Sequence, residues 1–505
     1  MKLKPKKLHK EKSSNSSCDN LEDFILNSYT GSYHNIRDRW KNFPLKPQMK
    51  QKEIIDSIDR LKEVAEEMKQ VPAFSFDTET NTLRVLADNK DFRLVDITIS
   101  WGENNNYEIP LGHIRDEDIE RNLDLDEVVE ILKPIFENPD VLIVGANLKY
   151  DMHVLKRVGI NIVTTHLFDI MLASWLCDEN TPNGLKENSA EKMGVPQTHF
   201  KEVTNDIPND VKKKFGYKAN AKVHDFGLVL IDDGADYCIG DAFYTWCNFL
   251  GFRQEIVDIE MDKIYYKKMI PFLRVLLDME ELGTTVDVSR LEKMGEEMQK
   301  DLDELQYNIY ELAGCVFNLS ASSPQRGLML FGIDDYTLPF DEYLEKYKKK
   351  NAKRIAKSKN GLDLQKVRKA YDDKQRDKER LEILNNSFNF KVQSYTPSGN
   401  PCTDSDTIWN LSNLTFKNKR KQEGVEMCKY ILQYSKLEKL KSAFVDGILE
   451  QLYDDGKAHP NFNQVGTDSG RLSCSKPNLD LTVVGHYTVM CNSKSRENGE
   501  VLQVA

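Results

Sequence analysis

The run Val141-Leu142-Ile143-Val144, closed by Gly145 and bordered on both sides by helical apolar spacing, constrains this chain more than any other stretch. Four consecutive apolar residues ending at a turn residue read as a strand buried on both faces, which occurs where helices cover a sheet. Upstream, from Pro72, Phe74 and Phe76 alternate with small residues, and Leu94, Val95, Ile97, Ile99 and Trp101 mark another strand. Strands alternating with helices predict an α/β domain with helices flanking the sheet. After about Gly251 the strand signals fade. Leu291, Met294, Met298, Leu302, Leu305, Ile309 and Leu312 form one stripe from Asp287 to Gly314, where a C-cap falls. A partner stripe runs through Tyr430, Leu437, Leu440, Phe444, Ile448 and Leu452, so the second half is expected to be mainly α-helical, with two long antiparallel helices forming an arm.

At 505 residues the chain has room for about three domains. Its 40% hydrophobic and 30% charged residues are those of a soluble protein. No window approaches ~18 consecutive apolar residues, so no membrane partner is expected. The first twenty residues lack the apolar stretch of a secretory signal, which argues against export and for the cytoplasm. Nine cysteines without a CxxC pair argue against both a zinc site and a disulfide framework. The formal charge of −11 does not point to nucleic acid. Local patches differ: Lys346, Lys348, Lys349, Lys350, Lys353, Arg354, Lys357 and Lys359 follow one another without an acidic residue, and the first dozen residues hold six lysines. Such runs are either solvated segments or strips that contact a phosphate backbone. Residues 335–385 as a whole read as a solvent-facing basic insertion.

Asp77-Thr78-Glu79 ends the strand Ala73-Phe74-Ser75-Phe76, so two carboxylates two residues apart share one face of the pleat. They repel unless a cation sits between them, and hard divalent ions take oxygen ligands. The plain alternative is surface charge. Asp151, in Asn147-Leu148-Lys149-Tyr150-Asp151, begins a helix after the buried strand, where an aspartate also serves as an N-cap. Tyr237 and Asp241 are four apart on a helix and share a face; here the alternative is a tyrosine packed at the helix surface.

In order and spacing, the strand-end Asp77/Glu79, the Asn147–Asp151 segment and Tyr237/Asp241 resemble the three exonuclease motifs of the DEDD superfamily, in its tyrosine branch. Tyr107-Glu108-Ile109-Pro110-Leu111-Gly112-His113 and Phe168-Asp169 are also similar to that family. The resemblance implies a ribonuclease H-like domain over 66–255, preceded by a charged, partly disordered extension over 1–65. It also implies 3′→5′ hydrolysis with two ions, Mg²⁺ or Mn²⁺, that stabilise the attacking and leaving oxygens. Asp77, Glu79 and Asp241 would hold one ion, and Asp77 would bridge to the second, which Asp151 supports through water. Tyr237 would orient the attacking water, while Asn147 and the backbone near Thr78 would position the terminal nucleotide.

From Met269 the chain resembles a family A DNA polymerase of the bacterial or phage type. The matching residues are Leu276, Glu280, Leu282, Gly283 and Asp287, then Phe317-Asn318-Leu319-Ser320, Tyr395-Thr396-Pro397-Ser398-Gly399, and Tyr434 to Lys441. His459-Pro460-Asn461-Phe462-Asn463-Gln464, Thr467 to Ser473 and Pro477-Asn478-Leu479 carry the resemblance furthest. It implies a thumb and the start of the palm over 256–479, with a single-stranded DNA 3′ end and primer-template duplex as partners and Arg471 reaching the minor groove. Asp480 to Ala505 depart from the pattern, and the palm aspartates of nucleotidyl transfer are not found. The reading is therefore the proofreading portion of a polymerase truncated before the palm motifs, of phage type in a host cytoplasm, with palm and fingers supplied by a separate fragment if it extends primers at all. The alternatives are an RNA-trimming exonuclease of the same superfamily and a non-catalytic DNA-holding subunit.

Overall fold

A computed structural model describes residues 47–86, 90–218, 221–320, 323–357, 361–477 and 479, with the short strands 493–494 and 501–502. The six N-terminal lysines and most of 480–505 lie outside the described residues. The chain divides into two compact units, Met1–Thr285 with Leu452–Leu481, and Val286–Gln451.

The first unit is built on a six-stranded mixed sheet. Its strands are β1 (Glu53–Ile54), β2 (Ala73–Thr80), β3 (Leu94–Ser100), β4 (Asn106–Pro110), β5 (Leu142–Gly145) and β6 (Leu167–Asp169), in the order β1-β4-β3-β2-β5-β6. β2 runs antiparallel to β3 and parallel to β5, so it is central, and β5 is fully buried as its apolar run requires. Alternation along β2 sends Phe74 and Phe76 to one side, where both rings meet Phe136 edge-on at 5.1 Å. Phe136 belongs to α2 (Leu125–Phe136). Ser75 faces the other way and donates to the Ala242 carbonyl at 2.8 Å, pinning the strand to α6 (Ile231–Asp258). That long helix packs across β2, β3 and β4.

Of the lead-in, the described part from residue 47 joins this unit. Glu53–Ile54 adds an edge strand parallel to β4, and α1 (Ile58–Met68) buries Leu61, Val64, Ala65 and Met68 against the core. The compact unit continues past residue 255. The helix α7 (Ile270–Leu282), the pair β7 (Thr284–Thr285) with β8 (Lys457–Ala458), and the hairpin β9 (Asn461–Asn463) with β10 (Ser473–Ser475) all belong to the first unit. Buried Glu280 holds them there. It accepts from His153 Nε2 at 2.8 Å, from the Phe462 amide at 2.6 Å and from Lys149 Nζ. Lys149 and His153 lie on α3 (Leu148–Arg157).

In the second unit α8 (Val288–Ala313) and α14 (Lys419–Leu440) are antiparallel. Arg420, at the start of α14, donates to the carbonyls of Leu312 and Ala313 at the end of α8, at 2.5 and 2.7 Å. Asp287 caps α8 by accepting from the Arg290 amide at 3.1 Å, and Gly314 ends it at φ 77°, a left-handed turn that favours glycine. Between these helices, 335–385 is no loose insertion. The helices α10 (Phe340–Lys350), α11 (Leu364–Gln375) and α12 (Lys378–Asn385) form there, and the first two pack around Tyr343, Val367 and Tyr371. Aromatic rings supply the core that aliphatic counting misses. Part of the basic run is also engaged locally, since Lys346 donates to the Gly399 carbonyl at 2.8 Å and Arg354 to the Tyr347 hydroxyl at 2.7 Å.

Candidate active site

Asp77 and Glu79 share the face of β2 that α6 covers, and Asp241 on α6 closes the group. One carboxylate oxygen from each of the three lies within 4.8 Å of the others. Glu79 and Asp241 are buried and Asp77 is partly so. A donor set made only of carboxylate oxygens, converging this tightly, suits a hard divalent cation.

Asp151 approaches from the other side of the strand end. It lies in the first turn of α3, not at its cap, which is Asn147 in a left-handed conformation at φ 62°. Asp169 takes over the capping, accepting from the Leu148 amide at 2.8 Å. Relieved of that role, Asp151 accepts from the Thr78 hydroxyl at 2.6 Å and the Thr78 amide at 3.2 Å. Thr78 is thereby committed to orienting Asp151, and it is buried.

Tyr237 and Asp241 do share a face of α6, one helical turn apart. The ring is held by Phe226, whose centroid is 5.7 Å away, and by Phe200 at 6.3 Å. One further residue joins them: Lys186, on α5 (Leu185–Met193), pairs with Asp241 and lies 4.4 Å from the Tyr237 ring centroid. No spacing marks it in the sequence, because nothing about Gly184-Leu185-Lys186 distinguishes a helix start with this lysine from one without it. Arg471 stands apart, exposed on the loop between β9 and β10.

Burial, and then the charges of the neighbouring carboxylates, push Asp77 and Glu79 well above the usual carboxylate range. Asp151 is pushed up to about 8, chiefly by burial, with the Thr78 bonds pulling it back. Asp241 rises by burial too, opposed by Lys186 and Tyr237. Burial raises the Tyr237 phenol, which therefore stays neutral. These shifts have a sign. An unfolded carboxyl releases its proton near pH 4, so between about 4 and 8 the native state holds more protons than the unfolded chain, and stability falls as pH rises. Chelated protein is expected to melt several degrees lower at about pH 9 than at about pH 6, and saturating Mn²⁺ should remove most of that difference. Equal melting temperatures in chelator would show that the cluster ionises without a cation.

A family model described as 3'-5' exonuclease matches residues 52–256, and one described as DNA polymerase family A matches residues 341–484. The chain carries a 3'-5' exonuclease region followed by a DNA polymerase family A region. Its similarity to DNA polymerase I of Chloroflexus aurantiacus is 26% identity over 84% of this chain and 37% of the relative. For DNA polymerase I of Synechocystis sp. it is 27% over 86% and 36%. The chain thus spans little more than a third of the length of these family A relatives. Among solved structures, the POL domain of Pol1 from M. smegmatis, in complex with DNA primer-template and dNTP, matches with a TM-score of 0.51 and 17% identity, covering 86% of this chain and 56% of that one. The polymerase-family match runs to residue 484, five residues past Leu479. Among the described residues no helix is long and apolar enough to cross a membrane.

Proposed function

We propose that this chain removes nucleotides one at a time from a DNA 3′ end, as the proofreading exonuclease of a family A polymerase, releasing nucleoside 5′-monophosphates. The observation that carries the reading is the meeting of Asp77, Glu79 and Asp241 within 4.8 Å. They would hold a Mg²⁺ or Mn²⁺ ion, with Asp151 contributing to a second. Bound there, the two ions would supply a more acidic water and charge neutralisation at the leaving oxygen. The chain's own residues do the rest. The neutral Tyr237 hydroxyl orients the water, and Thr78 fixes Asp151. Lys186 keeps Asp241 ionised until a cation arrives. Asn147, at the turn into α3, would contact the terminal nucleotide, and Arg471 the primer-template duplex.

DNA is favoured over RNA because the relatives are DNA polymerases. Nucleotidyl transfer is not assigned to these residues. The test is digestion of a 5′-labelled DNA primer and an RNA of the same sequence with Mg²⁺ or Mn²⁺, repeated with template and all four dNTPs. Stepwise shortening of DNA, lost in Asp241→Ala, supports the proposal. Shortening of RNA alone would make it an RNA-trimming enzyme, no shortening would leave a DNA-holding subunit, and primer extension would overturn the assignment of hydrolysis alone.

A further inference from the structure

One strand away from the proposed catalytic carboxylates lies a second group with no part in the exonuclease reaction. Glu79 on β2 is paired in register with Asp96 on β3. Asp96 pairs with Pro110 while Thr98 pairs with Glu108, so Asp96 and Glu108 are diagonal neighbours on one face of β3 and β4. Above them α6 places Cys238, between Tyr237 and Asp241 in sequence. One carboxylate oxygen of Asp96, one of Glu108 and the Cys238 sulfur lie within 4.8 Å of one another, and all three residues are 0% exposed.

The hydrogen bonding here is unequal. His113 places Nδ1 3.0 Å from the Val229 carbonyl and Nε2 3.0 Å from Asp96. With an acceptor at each nitrogen, the ring carries both protons, and its charge answers that of Asp96. Glu108 has no such answer: neither of its carboxylate oxygens has a hydrogen-bond partner, although both are buried. The guanidinium whose charge reaches it, that of Arg121, is engaged with Asp118 and Asp232 at 2.9 and 3.0 Å. A buried carboxyl with both oxygens idle is costly and calls for an occupant.

We propose that Asp96, Glu108 and Cys238 form a buried zinc site, separate from the catalytic cluster, with His113 as the hydrogen-bonded support of the Asp96 ligand. The donor chemistry selects the ion. A thiolate beside two carboxylates suits borderline-soft Zn²⁺, whereas Mg²⁺ and Ca²⁺ take oxygen ligands. The charges also close: one dication and the His113 imidazolium balance two carboxylates and a thiolate, leaving no buried charge uncompensated. Carboxylates that hold a metal are themselves hydrogen-bonded, and His113 supplies that bond to Asp96. The ion would fasten α6 to β3 and β4 beside Tyr237 and Asp241, setting the rotation at which the helix presents them. The competing arrangement is metal-free, with a proton shared by Asp96 and Glu108 and Cys238 left as a thiol.

The experiment uses the full chain carrying Asp77→Ala and Asp241→Ala, so that the catalytic cluster binds nothing, and measures retained zinc after dialysis against a weak chelator. The stripped protein is then titrated with Co²⁺. We expect one zinc per chain and a sulfur-to-cobalt charge-transfer band in the near ultraviolet, both lost on adding Cys238→Ser. If either set of variants fails to fold by circular dichroism, the same titration is run on the unsubstituted chain with Mg²⁺ saturating the catalytic carboxylates; Mg²⁺ does not compete for a thiolate. No retained zinc and no sulfur band would overturn the proposal in favour of the shared proton. Because the readout is a spectrum, it is independent of whether the exonuclease reading holds.

Discussion

Asp77→Asn is expected to lower the rate of 3′ nucleotide release by about a thousandfold while raising, not lowering, the melting temperature of the chelated protein. The first effect follows from the proposed placement of Asp77 as the carboxylate common to both ions. Losing several kcal/mol of charge stabilisation in the transition state amounts to about three decades in rate. The second follows from electrostatics in the absence of cations. Asp77 is crowded by Asp151, Asp241 and Glu79, each of which raises its pKa. An amide of the same shape removes one member of that repulsion without opening a cavity. In a unit of this size each ~1 kcal/mol so gained is worth about 2–4 °C. Differential scanning calorimetry in EDTA and in Mn²⁺ checks both sides: the wild type should gain stability on adding Mn²⁺ and the variant little. A variant that melts lower in EDTA would mean that Asp77 is held by structural hydrogen bonds rather than crowded by its neighbouring carboxylates.

Glu280→Ala is expected to be the most damaging single change outside the carboxylate cluster. It strips three donors at once, Lys149 Nζ, His153 Nε2 and the Phe462 amide, of a shared acceptor that is 2% exposed. Removing one partner of a buried ion pair costs about 3–5 kcal/mol, or about 10 °C for a unit of this size. Because α3 carries Lys149, His153 and Asp151, exonuclease activity should fall as well, through a displaced Asp151. The double variant Lys149→Met with Glu280→Leu should recover a large part of the stability, since neither buried charge then remains. If the single variant melts within about 1 °C of wild type, the three donors reach water and the ion pair is not a fastening.

The features legible in the sequence were those written in local spacing. Asp77 and Glu79 fall on one face because strand residues alternate, and Tyr237 and Asp241 meet because helix residues recur at four. The sheet could be read from the buried run at Val141–Val144, and the α8 cap from Asp287 and Gly314. What remained hidden depends on register between distant segments. Lys186 reaches Asp241 only because of how α5 is laid beside α6, and Asp96 meets Glu108 only because β3 pairs with β4 as it does. In the sequence Glu280 is one residue of a polymerase-like stretch, and its function as an acceptor for α3 and the 459–464 segment needs the tertiary fold. The absence of CxxC spacing spoke only to zinc sites assembled from paired cysteines, not to a single thiol brought by a helix to two strands. Aromatic residues scattered through a lysine-rich stretch likewise concealed the small core around Tyr343 and Tyr371.

The Glu280 bond to the Phe462 amide joins positions 182 residues apart in sequence, and the β7–β8 pair beside it does much the same. On a ribosome adding about 5–20 residues per second, that interval lasts about 10–40 s. Throughout it the nascent sheet and α3 can already have formed, while the strand and hairpin that complete their side have not been synthesised. The whole helical unit emerges in the meantime and must fold without capturing the waiting edge. Synonymous-codon or temperature changes that slow elongation between 286 and 451 would lengthen this exposed interval, and with it the time available for chaperones or proteases to act on a half-finished nuclease.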